Sequence, residues 1–402
     1  MNGKFTLAQR RILSLCFLSY SAAYTGRLNI SAALPELQSA LSLTAAQAGT
    51  FQTVFALVYA AGQIINGALA DHIRAPRNIA LGLIISSACN LGLGIADSFG
   101  TMLFLWALNG AAQSMLWTPI VRLTAQWFNG SERDRAAFAL SVAIVLGHFA
   151  AWALSGALAA VMSWRFSFFI PSLVMTAAGI AAWIFLRENP SHSTVSSSAP
   201  MQTAEPAALF SLLHSTWLGA LLFCCVCLGF VRDGIVSWTP TILSAVSAAA
   251  LGSAALSLII PVLNLFGVLL VRRCYLLLHG SPRSSVGLVL AAGVLLTLLL
   301  HAVGGSAVTC AVIMGLCCAL LYGATPMLTT YCPLEYEKFG RVGLVAGLVD
   351  CFIYIGAALA GIFSGIVSDA AGWQGVYLMW AAISAAGMLA ALLSAKGRRH
   401  SD

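Results

Sequence analysis

Twelve long apolar stretches run through the chain and leave few folds open to it. They lie near residues 12–34, 47–70, 79–96, 101–126, 136–162, 166–186, 215–238, 251–271, 284–303, 307–330, 343–368 and 374–394. A helix needs about 20 apolar residues to cross a bilayer. The stretches are continuous and rich in Ala, Leu and Gly, which excludes the alternating pattern of a membrane β-barrel. The predicted fold class is therefore an all-α membrane protein: twelve transmembrane helices in two pseudo-symmetric six-helix halves. Only 8% of the 402 residues are charged, against about 25% in soluble proteins. So few charges cannot clothe a water-facing surface, and a soluble enzyme, a nucleic-acid binder and a disordered chain are excluded.

The polar stretch RENPSHSTVSSSAPMQTAEPAALFSL, about 187–212, is rich in Ser, Pro and Ala and is expected to be a cytoplasmic linker. It separates an N-terminal half, 1–186, from a C-terminal half, 213–402. The basic residues Lys4, Arg10 and Arg11 precede the first apolar run. That run is too long for a cleaved signal and is expected to be the first span.

Charge placement predicts the orientation. With the N-terminus inside, sixteen basic residues, among them Arg74, Arg77, Arg133, Arg272 and Arg399, fall in cytoplasmic segments, and only Arg165 falls outside. This is the positive-inside pattern. It puts both termini in the cytoplasm and makes the net charge of +7 a topology signal. Three basic residues remain, all within spans: Arg27, Arg122 and Arg232. The eleven cysteines lie almost all inside spans, so they read as small packing residues and not as a disulfide framework or a metal site.

Arg27 lies in the first span and Arg232 in the seventh, and each is followed eight residues later by proline, Pro35 and Pro240. The prolines are expected to end or kink each helix near its outer end. An internal repeat about an axis along the membrane normal would set the two arginines at equal depth. An arginine near mid-bilayer costs about 2.5–3.5 kcal/mol on the insertion scale. Ordinary salt bridging is one explanation. An anion clamp is the other, because guanidinium stays charged and grips phosphate or carboxylate through paired hydrogen bonds.

AYTGRLNISAALP (23–35) and FVRDGIVSWTPTIL (230–243) resemble the first and seventh spans of the organophosphate:phosphate antiporters of the major facilitator superfamily. GALADHIRAPR (67–77) is similar to the superfamily's cytoplasmic signature, SMLWTPIVRLTAQWF (114–128) to the family's fourth span, and VAGLVDCFIYIGAALAG (345–361) and GWQGVYLM (372–379) to its eleventh span and the start of its twelfth. The resemblance covers nearly the whole chain. It implies alternating access by rocking of two halves, with Arg27 and Arg232 on the anion and Tyr20, Tyr24 and Tyr354 in the cavity. Departures stand beside it. Leu28 replaces a lysine after the first arginine, Gln63 replaces a second-span lysine, and His148 lies one turn beyond the position of the family's histidine near Ile144; Gln63 and His148 are candidate substrate-binding residues of the cavity, a core histidine bonded to a neighbour being the alternative for His148.

Two acids are gained. Asp233 adjoins Arg232 and Asp350 lies in span 11; they are candidates for proton coupling or charge balance. Asp71, Arg74, Arg77 and Arg122 are candidates for cytoplasmic gating, with Asp71 or Glu132 as partner of Arg122. Gly267, Arg272 and Arg273 resemble a degraded second copy of that signature. No phosphate-cradling Gly-rich loop with Lys-Ser/Thr is present, so ATP drive has no support.

The expectation is a secondary transporter of a small organic anion in the inner (plasma) membrane, exchanging an organophosphate for phosphate. It is not an enzyme, carries no cofactor or metal, binds no nucleic acid, and works as a monomer whose partners are the substrate, lipid and, where it is coupled, protons. One alternative is proton symport of a carboxylate such as a sugar acid. Another is a membrane sensor of a sugar phosphate.

Overall fold

The computed structural model describes residues 5–69, 73–189, 218–247, 249–278, 281–336 and 342–399. Most of the expected linker lies outside the described residues. Among the described residues nine helical stretches are long and apolar enough to cross a membrane. The last, Val342–Arg399, is two arms joined at Gly372, whose φ of 65° is in the left-handed region that glycine tolerates. Two further spans are each assembled from two shorter helices, Leu7–Thr25 with Asn29–Leu41 and Phe99–Ser114 with Trp117–Trp127. Among the described residues the spans are thus twelve, and they follow the apolar stretches of the sequence.

Local signals set several helix starts. Thr6 caps the first helix in a capping box with Gln9. Ser98 and Ser281 accept from the backbone N–H of Thr101 and Ser284. Asp369 accepts from the N–H groups of Ala45 and Ala46, at 2.9 and 2.8 Å, where span 2 begins.

Contacts divide the chain into two compact units. One holds Met1–Ser42 and Leu57–Met201, the other Leu43–Ala56 and Gln202–Asp402. Inside the first, span 1 packs on span 5 and span 3 on spans 4 and 6. Inside the second, span 7 (Leu218–Val246) packs on the long helix of spans 11 and 12, span 9 on that helix, and span 8 on span 10. Pairing 1 with 5 and 3 with 6 recurs as 7 with 11 and 9 with 12, so the sequence repeat is also a repeat of packing. Small residues allow it. A Cβ on Gly229 would lie 2.9 Å from the Ile353 carbonyl carbon, and one on Gly387 2.6 Å from the Cys227 Cβ. Gly267 lies inside the helix of span 8 against the Ala319 backbone. Large apolar side chains such as Leu18, Phe104, Phe138 and Leu295 are exposed, as a lipid-facing surface requires.

The prolines do not end their helices. Pro35 lies within Asn29–Leu41 and Pro240 within Leu218–Val246, each helix running on for six residues past it. A proline removes only one backbone donor, and without water to compete the helix remains the best way to satisfy the others. Span 1 breaks earlier, at Gly26–Leu28, around Arg27.

Candidate functional site

In the first unit the break in span 1 presents Arg27. Its guanidinium lies 4.2 Å from the centre of the Tyr59 ring and 5.5 Å from that of Tyr24, where the negative faces of the rings attract a cation. Tyr24 meets Tyr20 edge-on at 5.4 Å, and Tyr20 packs on Trp117 at 5.0 Å. Gln63, one turn beyond Tyr59, donates its amide to the Tyr59 hydroxyl at 2.8 Å and accepts from the Thr118 hydroxyl at 3.4 Å. The structure therefore brings Arg27, Tyr20, Tyr24 and Gln63 into one cluster. Tyr59, Trp117 and Thr118 join it unforeseen. Tyr59 stands four residues before Gln63 on the same helix face, and that spacing was the available signal.

His148 is placed differently. It is buried, edge-on to Trp152 with ring centres 4.4 Å apart. Among the described residues its Nε2 has no hydrogen-bond partner.

In the second unit Arg232 is 8% exposed and lies in the unbroken helix of span 7. Its Nε and Nη2 donate to the two carboxylate oxygens of Asp233, at 3.3 and 2.7 Å, and its Nη1 donates to the Thr325 hydroxyl at 3.0 Å. The guanidinium lies 5.1 Å from the Tyr322 ring centre, and Tyr354 is within electrostatic range of it. Adjacent helix residues project about 100° apart, yet the long arginine folds back onto its neighbour. Tyr322 and Thr325, three residues apart on span 10, were missed by sequence reasoning. Two polar groups at that spacing in an apolar span were the signal. Asp350 is exposed on span 11, one turn before the half-buried Tyr354. A groove of this unit, lined by Leu263, Phe266, Leu270, Leu295 and Leu320, is apolar and offers nothing to hold an anion.

At the cytoplasmic ends predicted for the first unit, Asp71 and His72 lie outside the described residues. Arg122 meets Glu188 at 3.6 Å and donates to the Ile73 carbonyl at 3.3 Å. Glu188 also accepts from the Ala75 N–H at 3.1 Å, the start of span 3. Glu132, expected as a partner of Arg122, accepts instead from Gln9 at 2.9 Å. Arg77 lies 6.0 Å from the Trp183 ring centre, and the exposed Arg74 is the N-cap residue of span 3.

Twelve helical spans in two units of repeated packing, each with a buried or half-buried intramembrane arginine ringed by tyrosine, define a polytopic membrane transporter. Comparison with known proteins gives its family. Residues 16–342 match the Major Facilitator Superfamily, and the chain belongs to it; it is a secondary transporter, not an enzyme. It is 25% identical to a probable hexose phosphate transport protein of Chlamydia trachomatis, over 95% of this chain and 89% of that one. It is 25% identical to the glycerol-3-phosphate transporter of Bacillus subtilis, over 94% and 90%, and to the membrane sensor protein UhpC of Escherichia coli, over 98% and 93%. Among solved structures it resembles the nucleoside transporter NupG, with a TM-score of 0.78 at 15% identity over 97% of this chain and 99% of that one. It also resembles a bacterial homolog of the human lysosomal transporter Spinster, with a TM-score of 0.76 at 18% identity over 99% and 98%. These two likenesses concern the fold.

Proposed function

We propose that the protein carries a small organic anion across the cytoplasmic membrane by alternating access, exchanging an organophosphate for phosphate, with both termini in the cytoplasm. Arg27 and Arg232 are its anion-binding groups, and Tyr20, Tyr24, Gln63 and Tyr354 contact the rest of the substrate. The observation that carries this reading is Arg27, a cation held at a helix break inside a span with two tyrosines and the Tyr59–Gln63 pair around it. Relatives named for hexose phosphate and glycerol 3-phosphate, aligned over most of the chain, support it.

A second reading is proton symport of a carboxylate, and the pairing of Arg232 with Asp233 favours it. One positive charge is already balanced there, and a proton on Asp233 would release the arginine to an anion. Asp350 would serve as a further charge-balancing group, while Asp71, Arg74, Arg77 and Arg122 would act in cytoplasmic gating.

The test is uptake by proteoliposomes loaded with phosphate and offered phosphate, sugar phosphates or sugar acids. Exchange of phosphate for sugar phosphate is expected, lowered at least about tenfold in Arg27→Lys and Arg232→Lys, because lysine lacks the bidentate fork. Full activity in both variants would refute the clamp.

A further inference from the structure

Spans 8, 9 and 10 are Ala250–Leu277, Pro282–Val303 and Ala307–Leu334. Span 10 packs along span 8 and along span 9, while spans 8 and 9 touch each other little. A furrow of about 550 Å³ is left between them, the size of a small-molecule site. Its buried lining residues, Gly267 and Ala319, form the floor, and the exposed Phe266, Leu270 and Leu295 form the walls. In a bilayer hydrocarbon fills such a furrow, because a void forfeits the dispersion contacts of its lining.

One end of the furrow is charged. On span 8 the lining residues Leu263, Phe266, Gly267 and Leu270 follow the three-and-four spacing of one helix face. Arg273 stands three residues beyond Leu270 and seven beyond Phe266, so it continues that face, and Arg272 adjoins it. Both are exposed, and among the described residues no hydrogen bond or ion pair holds either of them. Arg283, at the start of span 9, is committed elsewhere: it is buried, 3.0 Å from Glu335. Tyr275 and Tyr331, near the same ends of spans 8 and 10, have ring centres 5.0 Å apart; tyrosine gathers where hydrocarbon gives way to headgroups.

Length agrees with charge. From Leu263 to Arg273 the helix rises about 15 Å at 1.5 Å per residue, half of a hydrocarbon core of about 30 Å, which is the depth of one leaflet. We propose that the furrow and the Arg272–Arg273 pair form a binding site for one anionic glycerophospholipid. An acyl chain lies in the furrow, and the phosphate of the headgroup meets the two guanidinium groups, which suit its oxygens in charge and in geometry. The site uses neither Arg27 nor Arg232. Only its assignment to the cytoplasmic leaflet, the one with the negative surface potential, rests on the orientation proposed above.

The experiment is native mass spectrometry of the purified full-length chain in detergent, titrated with phosphatidylglycerol or with phosphatidylcholine of the same acyl chains. Phosphatidylglycerol is expected to bind about thirtyfold more tightly, roughly fivefold for each arginine. Arg272→Gln/Arg273→Gln is expected to abolish that preference, and Arg272→Lys/Arg273→Lys, which keeps the charges, to retain most of it. Arg10→Gln/Arg11→Gln, the same loss of charge at another exposed pair, is expected to leave it at the wild-type value. Ala292→Phe and Leu295→Trp fill the furrow and are expected to weaken both lipids alike. Two such variants are used so that a failure of one to fold leaves the other, with the melting point in detergent as the check. No preference in the wild type, or a preference unchanged in Arg272→Gln/Arg273→Gln, would overturn the site. A preference lost equally in Arg10→Gln/Arg11→Gln would reduce it to general surface charge and overturn it too. Wild-type affinity for phosphatidylglycerol in the furrow variants would overturn the placement of the acyl chain. Detergent has no leaflets, so none of these outcomes turns on the orientation or on the transported substrate.

Discussion

Asp233→Asn tests how much of the charge of Arg232 is available to a substrate. The carboxylate occupies the Nε–Nη2 edge of the guanidinium and Nη1 donates to the Thr325 hydroxyl, so an anion would meet the Nη1–Nη2 edge with Thr325 beside it. Oxygens on the two edges stand about 5 Å apart, so each unit of substrate charge is opposed by about 3 kcal/mol at an effective dielectric constant of 20 and about 0.8 kcal/mol at that of water. A site with one face wet lies between these, near 1.5 kcal/mol, or about tenfold in affinity for each substrate charge. Asparagine keeps an oxygen for Arg232, so the side chain stays oriented while the repulsion goes. Asp233→Asn is therefore expected to strengthen binding of a sugar acid, with one charge, about tenfold. It is expected to strengthen binding of the matching sugar phosphate, with up to two, by up to about a hundredfold. Competition against labelled substrate in proteoliposomes measures both. Equal factors for the two ligands, or weaker binding of either, would refute the assignment of Asp233 as a charge opposing the substrate.

Two further predictions concern packing. Gly229→Ala and Gly356→Ala put a methyl against the backbone of the facing helix, where Gly229 meets Ile353 and Gly356 meets Val226 and Phe230. Each should destabilise by about 1–3 kcal/mol through overpacking, seen as a lower melting point in detergent, while Gly219→Ala, with open space around it, should not shift it. Arg283 is 6% and Glu335 12% exposed, 3.0 Å apart, with Arg283 also donating to the Ser394 carbonyl at 2.7 Å. Glu335→Gln strands a buried cation and should cost about 3 kcal/mol, most of it regained in Arg283→Met/Glu335→Leu; a melting point unchanged by Glu335→Gln would contradict this.

The spans were legible because each is a long apolar run with one physical meaning in lipid. Their interruptions were not. In span 1 the visible breaker is Pro35, yet the helix passes through it and breaks at Gly26–Leu28. Asn90, Asn109 and Gln113, 60 or more residues away in sequence, donate to the Gly26 and Ala23 carbonyls at that break. Separation along the chain also hid Tyr59 beside Arg27, and Tyr322 and Thr325 beside Arg232. Glu188 lies beyond the last apolar run of its half, in the stretch expected to be linker, and it becomes the partner of Arg122 through folding alone.

The repeated arginine-to-proline spacing implied equivalent arginines, and the residues are repeated while their surroundings are not. Arg27 stands at a helix break over the Tyr59 ring. Arg232 stands in a continuous helix with its fork closed on Asp233. A lysine at 232 still neutralises Asp233 as a point charge. A lysine at 27 loses the flat face that stacks on tyrosine and the fork that would meet the anion. The two lysine variants proposed as controls are therefore unequal, and Arg27→Lys is the more damaging of the two for anion binding. The gap between them measures the share of Arg232 that is committed to Asp233 before any substrate arrives.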